Sequence, residues 1–245
     1  MDIDLIELWS HMNGLGRAVV VVLTLQALAC IYVVVDRIIL VFSSAARSRR
    51  FAGEAGAKLE AGEYEAVVSI AKKHAKSHLA SFIRTGVETF LARREEGHSR
   101  EKAAELAKRA LERKGENLSE SLARGLNVLA STGSTAPFIG LLGTVLGILN
   151  AFRLIGEESS GGMGTIGPAI SEALIVTGYG LLVAIPAVLV FNWLSGRIAA
   201  YEAGLANAGS ELIDQLEAGA VSRDVASDEG ASEAPRTAMR AVSAA

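Results

Sequence analysis

Three stretches of the chain carry no Asp, Glu, Lys or Arg: Ala18–Val35, Gly125–Phe152 and Ala173–Gly196, of 18, 28 and 24 residues. About 20 apolar helical residues cross a hydrocarbon layer of ~30 Å, so each run reads as a membrane-spanning helix. The pattern predicts an all-α membrane protein with three transmembrane helices at 15–42, 126–153 and 168–196. Helical periodicity also continues outside these runs. Tyr64, Val67, Val68 and Ala71, then Leu79, Phe82, Ile83, Val87, Phe90 and Leu91, recur at the spacing of amphipathic helices. Breaks are expected at Gly53, Gly56, Gly62 and Gly97, and Ser99 is placed to cap a helix with Glu101 in its first turn.

From Arg100 no proline occurs before Pro137, and helix formers run on into the second apolar stretch. One helix over 100–151 is predicted, roughly 78 Å long at 1.5 Å per residue. Pro168 suits the first turn of the third span. Beyond Arg197 the apolar period continues through Ile198, Tyr201, Leu205, Leu212 and Leu216, which predicts a helical extension over 197–217. The remaining parts are a short N-terminal segment at 1–14, a Gly/Ser-rich loop at 154–167, and a tail at 218–245 too poor in large apolar residues to build a core.

Charge orients the spans. Region 43–125 holds 17 of the 24 Lys and Arg but 12 of the 27 Asp and Glu, so it carries +5 inside a chain of net charge -3. Lys and Arg beside spans stay cytoplasmic. The helical region 43–125 and the C-terminus are therefore expected in the cytoplasm, with the N-terminus and the 154–167 loop outside. The acidic N-terminus and an apolar run ending directly in Asp36-Arg37 predict a retained anchor and not a cleaved signal. Cys30 is the single cysteine, which excludes an intrachain disulfide.

Small residues line one face of each inner span. Gly133, Ala136, Gly140, Thr144, Gly147 and Ala151 recur every three or four residues, as do Ala169, Ala173, Thr177, Gly180 and Ala184. Such faces let helices pack closely in lipid, and that packing role is expected for Gly133, Gly140, Gly147, Ala173, Gly180 and Ala184. Thr144 and Thr177 place hydroxyls in these faces, where a local backbone bond or a water-lined interior both remain open. Glu172 is the one acidic residue inside the second and third spans, at a cost of about 3 kcal/mol or more unless it faces protein or a cavity. It lies about 140° around the helix from Thr177, at the edge of the small face and toward a neighbouring helix. His74 and His78 have metal-pair spacing without a third ligand and are expected to face solvent. No nucleotide loop, catalytic triad or paired intramembrane aspartates occur, and the glutamates interleaved through 43–125 argue against nucleic acid.

The run Ala136-Pro137-Phe138-Ile139-Gly140-Leu141-Leu142-Gly143-Thr144-Val145-Leu146-Gly147-Ile148 resembles the second-span signature of the MotA/TolQ/ExbB proton channel family. Residues Ile170 to Ala187, with Glu172, Thr177, Gly180 and Pro186, resemble its third-span signature, and three spans favour the TolQ/ExbB branch. The resemblance covers about residues 5–215, with Tyr179 and the acidic tail as departures. It implies a homopentameric stator in the bacterial inner membrane around the single span of an ExbD/TolR-like partner whose aspartate carries protons. Thr144 and Thr177 would then line the proton path, with Glu172 near the partner helix. Protons would be the coupling ion, with no bound cofactor or metal and no enzymatic activity. The output would be TonB-dependent transport, Tol–Pal maintenance or gliding motility, acting through TonB/TolA-like or gliding machinery. A non-conducting scaffold of an envelope complex is the alternative.

Overall fold

The computed structural model describes Trp9, Met12 and residues 14–157 and 163–218. The predicted tail at 218–245 lies almost wholly outside them, as does most of the 1–14 segment. The described residues are all-helical. The helices are α1 (Gly14–Glu60), α2 (Tyr64–Lys73), α3 (His78–Glu95), α4 (Arg100–Ala123), α5 (Leu126–Glu157) and α6 (Met163–Ala218). Three of these, α1, α5 and α6, are long and apolar enough to cross a membrane. They contain the three charge-free runs except Gly125, which precedes α5.

The described residues divide into two compact units. One takes in the chain up to Asp36 together with Gly125–Trp193, and the other takes in Arg37–Arg124 together with the chain from Leu194 onward. In the first unit α1, α5 and α6 meet through Val19, Leu23, Ala136, Val176, Val183 and Ala184, and further along through Cys30, Val33, Leu129 and Ala187. Large side chains point away from this core: Phe138 is 71% exposed and Phe152 67%. An aqueous surface would not tolerate so continuous an apolar face, whereas lipid or another protein surface would.

In the second unit Phe51 and Leu59 of α1, Val67 of α2, Leu79, Ile83 and Val87 of α3, Leu122 of α4 and Leu212 and Leu216 of α6 are buried. Turn chemistry sets the helix ends. Gly62 and Gly97 have φ of 71° and 86°, a backbone state that favours glycine. Ser77 and Ser99 cap α3 and α4, their hydroxyls accepting from the Ala80 and Lys102 amides, both at 3.2 Å.

Two expectations are corrected. Gly53 and Gly56 do not break α1, because Phe51, Ala55 and Leu59 fall four residues apart on one buried face and hold the helix to Glu60. The single helix over 100–151 does not form either. Arg124 leaves helical backbone (φ -56°, ψ 130°) and Gly125 has φ of 84°, so α4 ends after 24 residues and α5 begins anew with 32. A Cβ on Gly125 would also lie 3.2 Å from Val33 Cγ1. Gly125→Ala should therefore destabilise the protein by about 1–2 kcal/mol, the usual cost of left-handed backbone for a residue with a Cβ. Denaturant titration in detergent would measure the loss.

At the other end, α5 continues to Glu157 and α6 begins at Met163, so both margins of the predicted 154–167 loop are helical and Pro168 lies inside α6. Residues 158–162 are outside the described set.

Candidate functional site

The small faces of α5 and α6 meet each other. A Cβ on Gly180 would lie 2.7 Å from the Ala136 carbonyl oxygen and 3.0 Å from Gly140 Cα. One on Gly140 would lie 3.1 Å from Thr177 Cα. Gly147 abuts Ala173, Gly133 abuts Val188, and Gly143 abuts Val176. Ala184 is buried in the same core. At Gly140 and Gly180 only hydrogen permits backbones this close, and lipid offers no alternative drive for their association.

Both threonines lie in or beside this seam with their protons engaged. Thr144 is 9% exposed and donates to the Leu141 carbonyl at 2.6 Å within its own helix. Thr177 is half-buried and donates across the seam to the Gly140 carbonyl at 2.7 Å. Gly140 stands one turn before Thr144, so the two hydroxyls are brought to neighbouring levels of one interface. Glu172 is also half-buried, whereas Ala173 beside it is 2% exposed and packed on Gly147. The carboxylate thus belongs to the edge of the face and not to its centre.

Further polar contacts in this unit escaped sequence reasoning. Thr24 of α1 donates to the Val20 carbonyl at 2.8 Å and lies 3.1 Å from the Tyr179 hydroxyl. Thr24 has only one proton, so Tyr179 is the donor in the second bond. Tyr179 thereby ties α6 to α1. Gln26 donates to Thr135 of α5 at 3.2 Å. The signal was available, because Thr24 and Gln26 are hydrogen-bonding side chains inside a charge-free run.

His74 and His78 do not face open solvent as expected. His74 pairs with Glu54 at 3.1 Å. His78 Nδ1 lies 3.0 Å from the Ser44 hydroxyl, in a buried chain that continues through Tyr201 and Ser48 to the capping Ser77. Among the described residues no cluster of metal-ligating side chains occurs. Burial, then the positive charges of Lys114 and Arg47, hold the His78 pKa below its ordinary 6.5. Burial likewise raises Tyr201 against the hydrogen bonds of Ser44 and Ser48.

The unfolded chain takes up a proton at His78 near pH 6.5 that the folded chain refuses until lower pH. This stabilisation is complete above that value and is lost as pH falls toward the folded pKa. Melting temperature measured from pH 8 to 5 should therefore drop less steeply in His78→Gln than in the parent.

A profile of the MotA/TolQ/ExbB proton channel family matches residues 74–206, just over half of the chain and inclusive of Thr144, Glu172 and Thr177. The biopolymer transport protein ExbB of Pseudomonas putida is 39% identical over 120 residues, which is 49% of this chain and 35% of that protein. The Tol-Pal system protein TolQ of Pseudomonas aeruginosa is 47% identical over 78 residues, 32% of this chain and 34% of its own length. ExbB of Neisseria gonorrhoeae is 51% identical over 71 residues, 29% of this chain and 32% of its own. The chain thus spans about a third of the length of these relatives. With the seam, the three apolar helices and the profile in agreement, the chain belongs to the MotA/TolQ/ExbB proton channel family.

Proposed function

We propose that the chain is a stator subunit of a proton-motive-force-driven motor in the bacterial inner membrane, working with an ExbD/TolR-like single-span partner. The observation that carries this reading is the family match across 74–206, which holds both threonines of the α5–α6 seam and Glu172 in one segment. In this reading five copies surround the partner. Region 43–125 and the end of α6 extend into the cytoplasm, and the N-terminus faces the periplasm, as the +5 charge of that region favours. The outward apolar faces of α1, α5 and α6 contact lipid and neighbouring copies. Thr144 and Thr177 line the path, and the partner's membrane aspartate carries the proton, because this chain has no aspartate in either inner span. The names of the relatives suggest biopolymer transport or Tol–Pal work as the output.

Co-purification with a single-span protein bearing a membrane aspartate, followed by proton flux in proteoliposomes, tests the assignment. Flux above that of the chain alone is expected. Purification as a monomer that never retains such a protein would defeat it, and normal assembly without flux would favour a non-conducting scaffold. Within the complex, Glu172→Gln should lower flux at least tenfold while assembly persists, because a half-buried carboxylate in a span is retained at a cost of about 3 kcal/mol. Unchanged flux would remove Glu172 from the mechanism.

A further inference from the structure

The second unit holds an open groove of about 780 Å³ between α4 and the last turns of α6. Its floor is the Phe82 ring of α3. A Cβ on Gly115 would lie 3.6 Å from that ring, and one on Gly209 would lie 3.0 Å from it. Both helices therefore present bare backbone where side chains would otherwise cover the phenylalanine. Leu111, Leu205 and Ile213 extend the apolar lining. The volume falls within the range of roughly 300–1,000 Å³ seen for binding pockets.

The walls are acidic. Glu112, Glu116 and Glu120 follow one another at four-residue intervals along α4, and Glu202 and Asp214 stand on α6, with Lys108 the one basic residue of the lining. Elsewhere on this unit some carboxylates are paired, Glu63 with Lys58, Glu88 with Lys72 and Arg84, Glu96 with Arg93, and Glu105 with Lys102 and Arg109, while among the described residues Glu60, Glu65, Glu95, Glu101, Glu211 and Glu217 are in no ion pair and do not form a row beside an apolar groove. Among the described residues Glu112, Glu116, Glu120 and Asp214 have no ion pair, and Glu202 accepts only a hydroxyl bond from Ser119. Like charges four residues apart on a helix repel, so this row opposes the fold unless cations meet it.

We propose that this groove is a docking site for a basic amphipathic helix of a partner protein. Glu202 and Asp214 are twelve residues apart, which at 1.5 Å per residue gives a trough of roughly 18 Å, the length of about twelve helical residues. Apolar anchors one turn apart reach the Phe82 floor, and Lys or Arg on both flanks meet the carboxylates, which is the helix-in-groove mode of recognition. Acidic or neutral amphipathic helices would leave the row of glutamates unanswered.

The test uses the full chain in maltoside micelles and a fluorescein-labelled 14-residue probe with Leu at positions 1, 4, 5, 8, 11 and 12 and Lys elsewhere. Fluorescence anisotropy should show saturable binding that falls as salt rises. Ala206→Trp, a change at an exposed lining position, should weaken it at least tenfold by filling the groove. The combined Glu112→Gln, Glu116→Gln and Glu120→Gln variant should weaken it about tenfold and flatten its salt dependence. These side chains are exposed, so helical content and elution volume should match the parent. Equal binding to the parent and to Ala206→Trp would reduce the signal to micelle partition and overturn the proposal. Tighter binding after removal of residues beyond Ala218 would give the groove to that segment. A benzophenone placed by Glu116→Cys in a Cys30→Ser background that captures another copy would give it to a second copy. Either result would also overturn the proposal.

Discussion

Gly180→Ala should weaken the α5–α6 association by about 1–3 kcal/mol, although it adds only one methyl group. The added carbon would arrive 2.7 Å from the Ala136 carbonyl and 3.0 Å from Gly140 Cα, and both obstacles are backbone. A flexible side chain would swing aside; two helices must separate along their whole contact, loosening Gly147 against Ala173 as well. Gly178→Ala is the control, because a Cβ there meets nothing within 4 Å. It should be neutral or slightly stabilising, since alanine is the better helix former by roughly 1 kcal/mol. Unfolding in mixed micelles with increasing SDS would measure both. A Gly180→Ala variant as stable as the Gly178→Ala control would mean that the seam is looser than drawn. Gly140→Ala strains the same contact, so its cost should not add fully to that of Gly180→Ala.

The second large effect concerns function. Thr177→Val keeps the branched shape but removes the hydroxyl that donates to the Gly140 carbonyl at 2.7 Å. Interhelical hydrogen bonds in membranes average about 0.6 kcal/mol, so the fold and the assembly should survive. Proton flux with the partner should fall at least tenfold if the hydroxyl belongs to the path. Thr177→Ser, which restores the donor, should recover most of it. Recovery of flux separates a role for oxygen from a role in packing, because serine packs less well than valine. A Thr177→Val protein with full flux would place this hydroxyl among the structural contacts.

Much of the architecture was legible because lipid imposes a strict rule on sequence. Runs without charge long enough to cross a bilayer are rare by chance, and all three, but for Gly125, fall inside α1, α5 and α6. Ser99 was legible as a cap because a hydroxyl before a helix-forming run has one obvious use. Gly125 was not, since a glycine inside a good helical pattern costs only about 1 kcal/mol and does not by itself announce a positive φ. Gly53 and Gly56 misled in the opposite direction, because burial of Phe51, Ala55 and Leu59 outweighed two weak positions.

For the site, spacing placed both threonines on small faces but could not say that those faces meet each other. The choice of Gly140 as the acceptor for Thr177 depends on the register between two helices 37 residues apart in sequence. The bonds of Thr24, Tyr179 and His78 are equally non-local, each joining residues distant in the chain.

The two threonines of the seam have each committed their only hydroxyl proton to a backbone carbonyl, Thr144 to Leu141 and Thr177 to Gly140. What remains on each oxygen is a pair of acceptor sites. Toward a visitor the seam is thus polar but one-sided, able to receive a hydrogen and unable to give one without first breaking a bond of 2.6 or 2.7 Å. A neutral carboxylic acid, which carries its own hydrogen, satisfies such a surface, whereas an ionised carboxylate finds only other lone pairs. If these hydroxyls face the path proposed above, their orientation would favour the protonated state of an acid passing there.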